Sequence, residues 1–243
     1  MANELTTPIA QAPSDATFSF STHPSVHAFE LSPPDFLAHH FDKSCKTRPP
    51  APKFLATGAI VFNRPVPANG EPRATNLSKQ PPRVLLVQRA PHDSMPLKWE
   101  TPGGGCDDDD QSILYACVRE LKEEAGLHAT SVGPVIACIT KATRAKDNNE
   151  GPEEGHAEWG ENMGGQFFLT RRGNLVCKFN FVVGVPEELT AKVAVDPNEH
   201  AAFVWATEEE VRNKKIDGEG GVQLDFTTRE QWEVILEAFK LWK

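Results

Sequence analysis

Between Trp99 and Leu127 the chain reads WETPGGGCDDDDQSILYACVRELKEEAGL, and this stretch restricts the fold more than any other. Its glycine run, Gly103 to Gly105, lets backbone approach a ligand closely. A tetra-Asp loop follows, Asp107 to Asp110. The pattern predicts a helix over Ser112–Ala125, with Gly126 where a left-handed cap is wanted. At about 100° per residue, Leu114, Val118, Leu121 and Ala125 share one side and need a core to pack on. Glu120, Glu123 and Glu124 share another, at i, i+3 and i+4. Like charges at these spacings repel, by about 0.2–0.5 kcal/mol per pair. A helix serving solubility alone would interleave lysines, but here Glu124 follows Glu120. Three carboxylates converging beside a glycine-rich turn suit a hard divalent cation, which takes oxygen donors and retains water.

The charge distribution points the same way. Residues 106–127 carry a net charge of −5 and residues 144–165 one of −4, which together are the whole −9 of the chain. The acidity therefore belongs to two segments. A net negative chain is not expected to bind nucleic acid nonspecifically or to adhere to an anionic membrane. No apolar run approaches the roughly 20 residues that span a bilayer, so no membrane segment is expected. The first twenty residues lack the basic and apolar regions of a secretory signal, and an intracellular, cytoplasmic location is the expectation. Five cysteines without a CxxC pair argue against a disulfide framework and against a thiolate zinc site.

Length and composition fit one globular unit with an appendage: 243 residues, 39% of them hydrophobic and 24% charged. Residues 1–52 are rich in Pro, Ser, Thr and His and read as an N-terminal arm. Phe18, Phe20, Phe29, Phe36 and Phe41 leave open whether part of that arm packs on the body. Residues 53–243 form the main domain. Short apolar, β-branched runs predict strands near 54–63, 83–89, 135–142, 165–169, 178–185 and 202–206. Thr207 opens a short charged helix. Thr228 and Gln231 form the capping box of a last helix, whose apolar stripe is Trp232, Ile235, Leu236, Phe239 and Trp242. Irregular alternation of strands and helices predicts an α/β fold with a mixed sheet covered by helices.

The run from Gly105 to Leu127 resembles the signature of the Nudix hydrolase family, G-x5-E-x7-R-E-U-x-E-E-x-G-U with U a bulky apolar residue. Every spacing fits, from Gly105 through Arg119, Glu120, Glu123, Glu124 and Gly126 to Leu127. One fixed position departs: Gln111 stands where the family has Glu. The resemblance extends over about Phe54 to Val211. It implies a Nudix-type α/β/α sandwich and Mg²⁺- or Mn²⁺-dependent cleavage of a diphosphate linkage in a nucleoside diphosphate derivative. It implies metal ligands at Glu120, Glu123 and Glu124 and at the carbonyl of Gly104. Arg119 would orient one of the glutamates through a charge-assisted bond, and Glu123 or a loop glutamate would take the proton of the attacking water. With Gln111 neutral, weaker metal binding and weakened rather than abolished activity are expected, because the three helix glutamates remain; alternatively, a nearby acid such as Asp110 or Asp108 takes the missing role. The alternative is a catalytically impaired domain that senses a ligand or binds a partner.

The acidic segment 144–165 reads either as an insertion or as a lid. As a lid, it would bring one of Glu153, Glu154, Glu158 or Glu161 to the metals, and Trp159 would stack on a flat substrate moiety. Glu199, just before the Trp205 strand, is a weaker candidate for the same role and reads rather as a surface or turn residue; His39, His40 and His92 read as surface histidines. Residues that mark substrate subgroups are missing: position 142 is Ala, and the one tyrosine, Tyr115, lies inside the signature.

Overall fold

The computed structural model describes residues 18–41, 51–64, 81–137, 163–218 and 220–242. Among these, no helix is long and apolar enough to cross a membrane. The chain opens with a short strand, β1 (Ser21–Thr22), a 3-10 turn (Pro24–Phe29) and helix α1 (Pro33–His40). Strands β2 (Phe54–Val61), β3 (Arg83–Arg89) and β4 (Trp99–Glu100) lead to the carboxylate helix α2 (Ile113–Ala125). Then come β5 (Ser131–Val135), β6 (Gln166–Leu169), β7 (Leu175–Gly184), a 3-10 turn (Glu187–Lys192), β8 (His200–Thr207) and α3 (Glu208–Asn213). A small antiparallel pair, β9 (Lys215–Ile216) and β10 (Val222–Gln223), precedes the last helix, α4 (Arg229–Ala238), which ends in a 3-10 turn (Phe239–Trp242).

Two sheets carry the fold. One runs β1-β5-β7-β2 with β6 also on β7; the other runs β4-β3-β8. Pairs β1–β5 and β2–β7 are parallel, whereas β5–β7, β6–β7, β3–β4 and β3–β8 are antiparallel. The sheet is mixed and the fold is α/β, as the alternation of elements predicts. Period-two alternation sorts β2 and β7 onto two cores. Leu55, Ala59 and Val61 of β2, with Cys177, Phe179 and Phe181 of β7, pack against α1, α2 and the first 3-10 turn. Ile60, Phe62 and Val182 pack on the opposite side with Val84 and Leu86 of β3 and with Val234, Ile235 and Phe239 from α4 and its last turn.

Residues 18–41 belong to the first core. Phe29, Phe36 and Phe41 are buried, and Phe29 meets the rings of Phe179 and Phe181 edge-on at 4.8 and 5.1 Å. The same segment braces α2. The carbonyl of Leu31 accepts the otherwise unpaired N–H of Ile113 at 3.1 Å, and Phe18 meets Tyr115 at 5.2 Å between ring centres.

Several boundaries differ from the sequence reading. The expected strand 135–142 is instead Ser131–Val135, and residues 138–142 lie outside the described set. Gly133 and Pro134 disguise this strand, which exists because β1 and β7 flank it. Strand β7 starts at Leu175, three residues before the expected Lys178, because β2 pairs with it from Val176 onward. At α4, Thr228 Oγ1 accepts the N–H of Gln231 at 3.0 Å, but the Gln231 side chain does not fold back. It donates instead to Thr101 Oγ1 at 3.1 Å, because a buried amide finds its partner in the core. The full capping box forms at α3, between Thr207 and Glu210. Of the apolar stripe, Ile235 and Phe239 are buried and Trp232 and Leu236 are half-buried; the side chain of Trp242 lies outside the described set.

Phe36 is fully buried among Phe29, Phe41 and Phe179. Phe36→Ala is expected to destabilise the protein by about 3–5 kcal/mol in denaturant titration, whereas an arm independent of the core would leave stability unchanged.

Candidate active site

The glycine-rich segment is fastened to β2. Thr57 N–H donates to Gly104 O at 2.9 Å, Ala59 N–H to Pro102 O at 2.7 Å and Cys106 N–H to Leu55 O at 2.9 Å. This antiparallel attachment lays the backbone of residues 102–106 beside the polar face of α2. At Gly104 the approach is so close that a Cβ would stand 2.5 Å from Glu120 Oε2, so no larger residue fits without moving that carboxylate. Helix α2 is fixed in phase at both ends: Ser112 Oγ accepts from Tyr115 N–H at 3.0 Å, and Gly126 closes the helix at φ +70° with its N–H on Lys122 O.

Arg119 organises the carboxylates. Its Nε and Nη2 donate to the two oxygens of Asp110 at 3.0 and 2.9 Å, a bidentate pair. Its Nη1 donates to Glu120 Oε1 at 2.8 Å and to Glu123 Oε2 at 2.9 Å, and Nη2 also reaches Gly105 O at 3.1 Å. The Asp110 hydrogen bonds raise the guanidinium pKa above its usual value, so Arg119 stays charged. Asp110 is 5% exposed, whereas Gln111 faces solvent. The tetra-Asp loop turns Asp110 inward, one residue before Gln111, and Asp110 Oδ2 also accepts the N–H of Asp107 at 2.8 Å.

The three glutamates have different surroundings. Glu123 is 57% exposed and sits at the rim, tied to Arg119. Burial pushes the Glu120 carboxyl up, and the Arg119 charge opposes this. Glu124 is the most buried, and burial pushes it well above the usual carboxylate range. Its Oε2 accepts the N–H of Gly103 at 2.5 Å, which favours the ionised form, but no Lys or Arg among the described residues lies within ion-pair distance. Across from α2, the turn Asp196-Pro-Asn-Glu-His leads into β8. Asp196 Oδ1 accepts from Asn198 N–H at 2.8 Å, and Asp196 O accepts the N–H of His200 at 2.8 Å. That turn sets Glu199, exposed, and His200, 3% exposed, against Glu124. Burial lowers the His200 pKa from its ordinary value. Arg89 pairs with Asp93 and Glu100 and so adds no net positive charge.

A cleft of about 510 Å³ brings together Glu120, Glu124, Glu199, His200 and the backbone of Gly103–Gly105. Of the residues singled out in the sequence, the cleft therefore takes Glu120, Glu124 and Gly104, while Arg119 and Glu123 do not line it and connect to it through the Arg119–Glu120 bond. Glu153, Glu154, Glu158, Trp159 and Glu161 lie outside the described residues. Glu199 and His200 were missed as a pair. Their signal was an acid and a histidine adjacent at the mouth of a strand, which gains meaning only once β8 lies beside β3. His92 is exposed, with Nε2 2.9 Å from Asn198 O.

A family model for the NUDIX domain matches residues 73–221, so the chain belongs to the Nudix family and is by class a Nudix pyrophosphohydrolase. Such hydrolases act on small-molecule diphosphates and generally use a divalent metal. A comparison with curated proteins finds no match. Among solved structures, the chain is similar to the MutT protein of Methanosarcina mazei Go1, at 16% identity over 81% of this chain and 96% of that one, with a TM-score of 0.45. It is also similar to a MutT Nudix hydrolase from Burkholderia pseudomallei, at 13% identity over 76% and 96%, TM-score 0.44. A third is the Nudix hydrolase RenU of M. smegmatis, at 18% identity over 76% and 84%, TM-score 0.45.

The residues present fit a divalent ion. Glu120 and Glu124 offer carboxylate oxygens, and Gly104 O keeps one lone pair beyond its bond to Thr57. A buried carboxylate lacking a cationic partner is unfavourable until a cation offsets it. Because the folded-state pKa of Glu124 is raised, its ionisation opposes folding. With excess chelator, wild type and Glu124→Gln are expected to melt alike below about pH 4, where the carboxyl is protonated in both states. As pH rises through the elevated range, the Gln variant becomes the more stable of the two in melting scans. A wild type that melts higher at pH 8 would contradict the uncompensated burial.

Proposed function

We propose that this chain is a divalent-metal-dependent hydrolase, working with Mg²⁺ or Mn²⁺, that cleaves the diphosphate linkage of a nucleoside diphosphate derivative or similar organic pyrophosphate. Water attacks phosphorus. The observation that carries the reading is the buried Glu124 carboxylate beside Glu120 and Gly104 in an open cleft. In the proposal Glu120, Glu124 and the Gly104 carbonyl hold the metal, with Glu123 joining from the rim. When bound, the ion lowers the pKa of a coordinated water and offsets the negative charge of the phosphate oxygens.

The protein groups divide the remaining work. Arg119, anchored on Asp110, holds Glu120 in one orientation. The Gly103 N–H does the same for Glu124. Glu123, the helix carboxylate most open to solvent, accepts the proton of the attacking water. The impaired-domain alternative draws on the neutral Gln111 and on the unmatched N-terminal arm; the buried Asp110–Arg119 pair supports the catalytic reading instead.

Release of a nucleoside monophosphate or phosphate from a panel of nucleotide, sugar-nucleotide, dinucleotide and prenyl diphosphates tests the reaction. Glu120→Gln and Glu124→Gln are expected to lower kcat by at least about 100-fold and to weaken metal binding. Glu123→Gln, which removes both a metal ligand and the proton acceptor, is expected to lose at least about 100-fold in kcat and to weaken Mg²⁺ binding less than Glu120→Gln or Glu124→Gln does. No product from any substrate in the panel would sink the proposal. Asp110→Ala is expected to cost about tenfold or more in kcat, because Arg119 loses its bidentate anchor. Gln111→Glu, on the solvent side, is expected to change turnover by less than about twofold; a large gain there would return the limiting role to position 111.

A further inference from the structure

We propose that His200, with Glu199, extends the donor set around Glu124 into a mixed nitrogen–oxygen site, so that this chain takes Mn²⁺ in preference to Mg²⁺. The inference rests on the metal-binding reading given above and specifies it.

His200 is held in place by its backbone, and its ring is nearly sealed from solvent. Nδ1 has no hydrogen-bond partner among the described residues. The other nitrogen, Nε2, stands 4.0 Å from Glu124 Oε2, beyond hydrogen-bond reach. The nitrogen that faces the carboxylate is Nε2, and no hydrogen bond bridges the 4.0 Å gap between it and Glu124 Oε2, so a cation placed between them gains both as ligands. One donor atom each from Glu124, Glu199 and His200 lies within 4.8 Å of the others. Two metal–donor bonds of about 2.1 Å span donors up to about 4.2 Å apart. The Glu124–His200 separation is already within that limit, and Glu199, being exposed, closes the remainder by a change of rotamer. His92 is less suited, because its Nε2 already lies at hydrogen-bond distance from Asn198 O.

The nitrogen donor has a chemical consequence. Mg²⁺ demands oxygen ligands in near-ideal octahedral geometry, whereas Mn²⁺ and the later first-row ions accept imidazole and bind mixed sites more tightly. A cleft with carboxylates alone would discriminate between the two ions less.

Pulsed electron paramagnetic resonance of the full chain loaded with Mn²⁺ reads the ligand directly. A ¹⁴N coupling of a coordinated imidazole is expected in the wild type and in His92→Ala, and is lost in His200→Asn. In equilibrium titrations, His200→Asn is expected to weaken Mn²⁺ binding by at least about tenfold and Mg²⁺ binding by less than about twofold. The wild-type coupling requires no variant to fold. Mn²⁺ bound without nitrogen coupling, yet lost in Glu124→Gln, would overturn the role of His200 and leave the carboxylate site standing. Mn²⁺ binding that ignores Glu124→Gln would overturn both.

Discussion

Arg119 makes the polar face of α2 possible. Three carboxylates within five residues of one helix repel one another, and one of them, Glu124, is turned into the protein. A single guanidinium, half-sunk between Asp110, Glu120, Glu123 and the Gly105 carbonyl, ties the Asp loop, the helix and the glycine-rich turn into one rigid unit. Planarity matters here: one fork meets Asp110 edge to edge while the remaining nitrogen serves two glutamates, a geometry that lysine cannot reproduce. Glu124 lies outside this network, and the local charge there remains uncompensated by the protein itself. That imbalance underlies the proposal that the cleft takes a cation.

The unit is held against the sheet from two sides. Residues 102–106 are laced to β2 by backbone hydrogen bonds, so the glycine turn has the precision of a strand. From the other direction the aromatic segment 18–41 fills the space over β2 and β7 and caps the start of α2 through Leu31. This segment precedes the residues that the family model covers. The helix therefore leans on this segment as well as on the sheet.

Much of this was legible in the sequence. Helix α2, its Gly126 cap, strand β3 and the shared side of Glu120 and Glu124 follow from local chemistry: periodicity, capping preference and the spacing of the signature. Less was legible wherever a contact crosses the chain. Strand β5, with Gly133 and Pro134, has little strand character of its own and depends on β1 and β7 as neighbours. Gln231 was placed in a cap by its spacing from Thr228, yet its amide is committed to Thr101, 130 residues away in the chain. A buried polar group goes where a partner waits, and sequence spacing does not reveal that.

The sequence by itself determined the helix, the turn before it and the family, because each rests on residues near one another in the chain. It also exposed the odd residue, Gln111, and offered two acids in its place. Only the tertiary structure shows how they differ: Asp110 is buried against Arg119, whereas Asp108 is exposed. The same holds for Glu199 and His200, more than seventy residues beyond the helix. Their local signal is weak, an acid and a histidine side by side before a strand, and they stand beside Glu124 because pairing of β8 with β3 carries the start of β8 there.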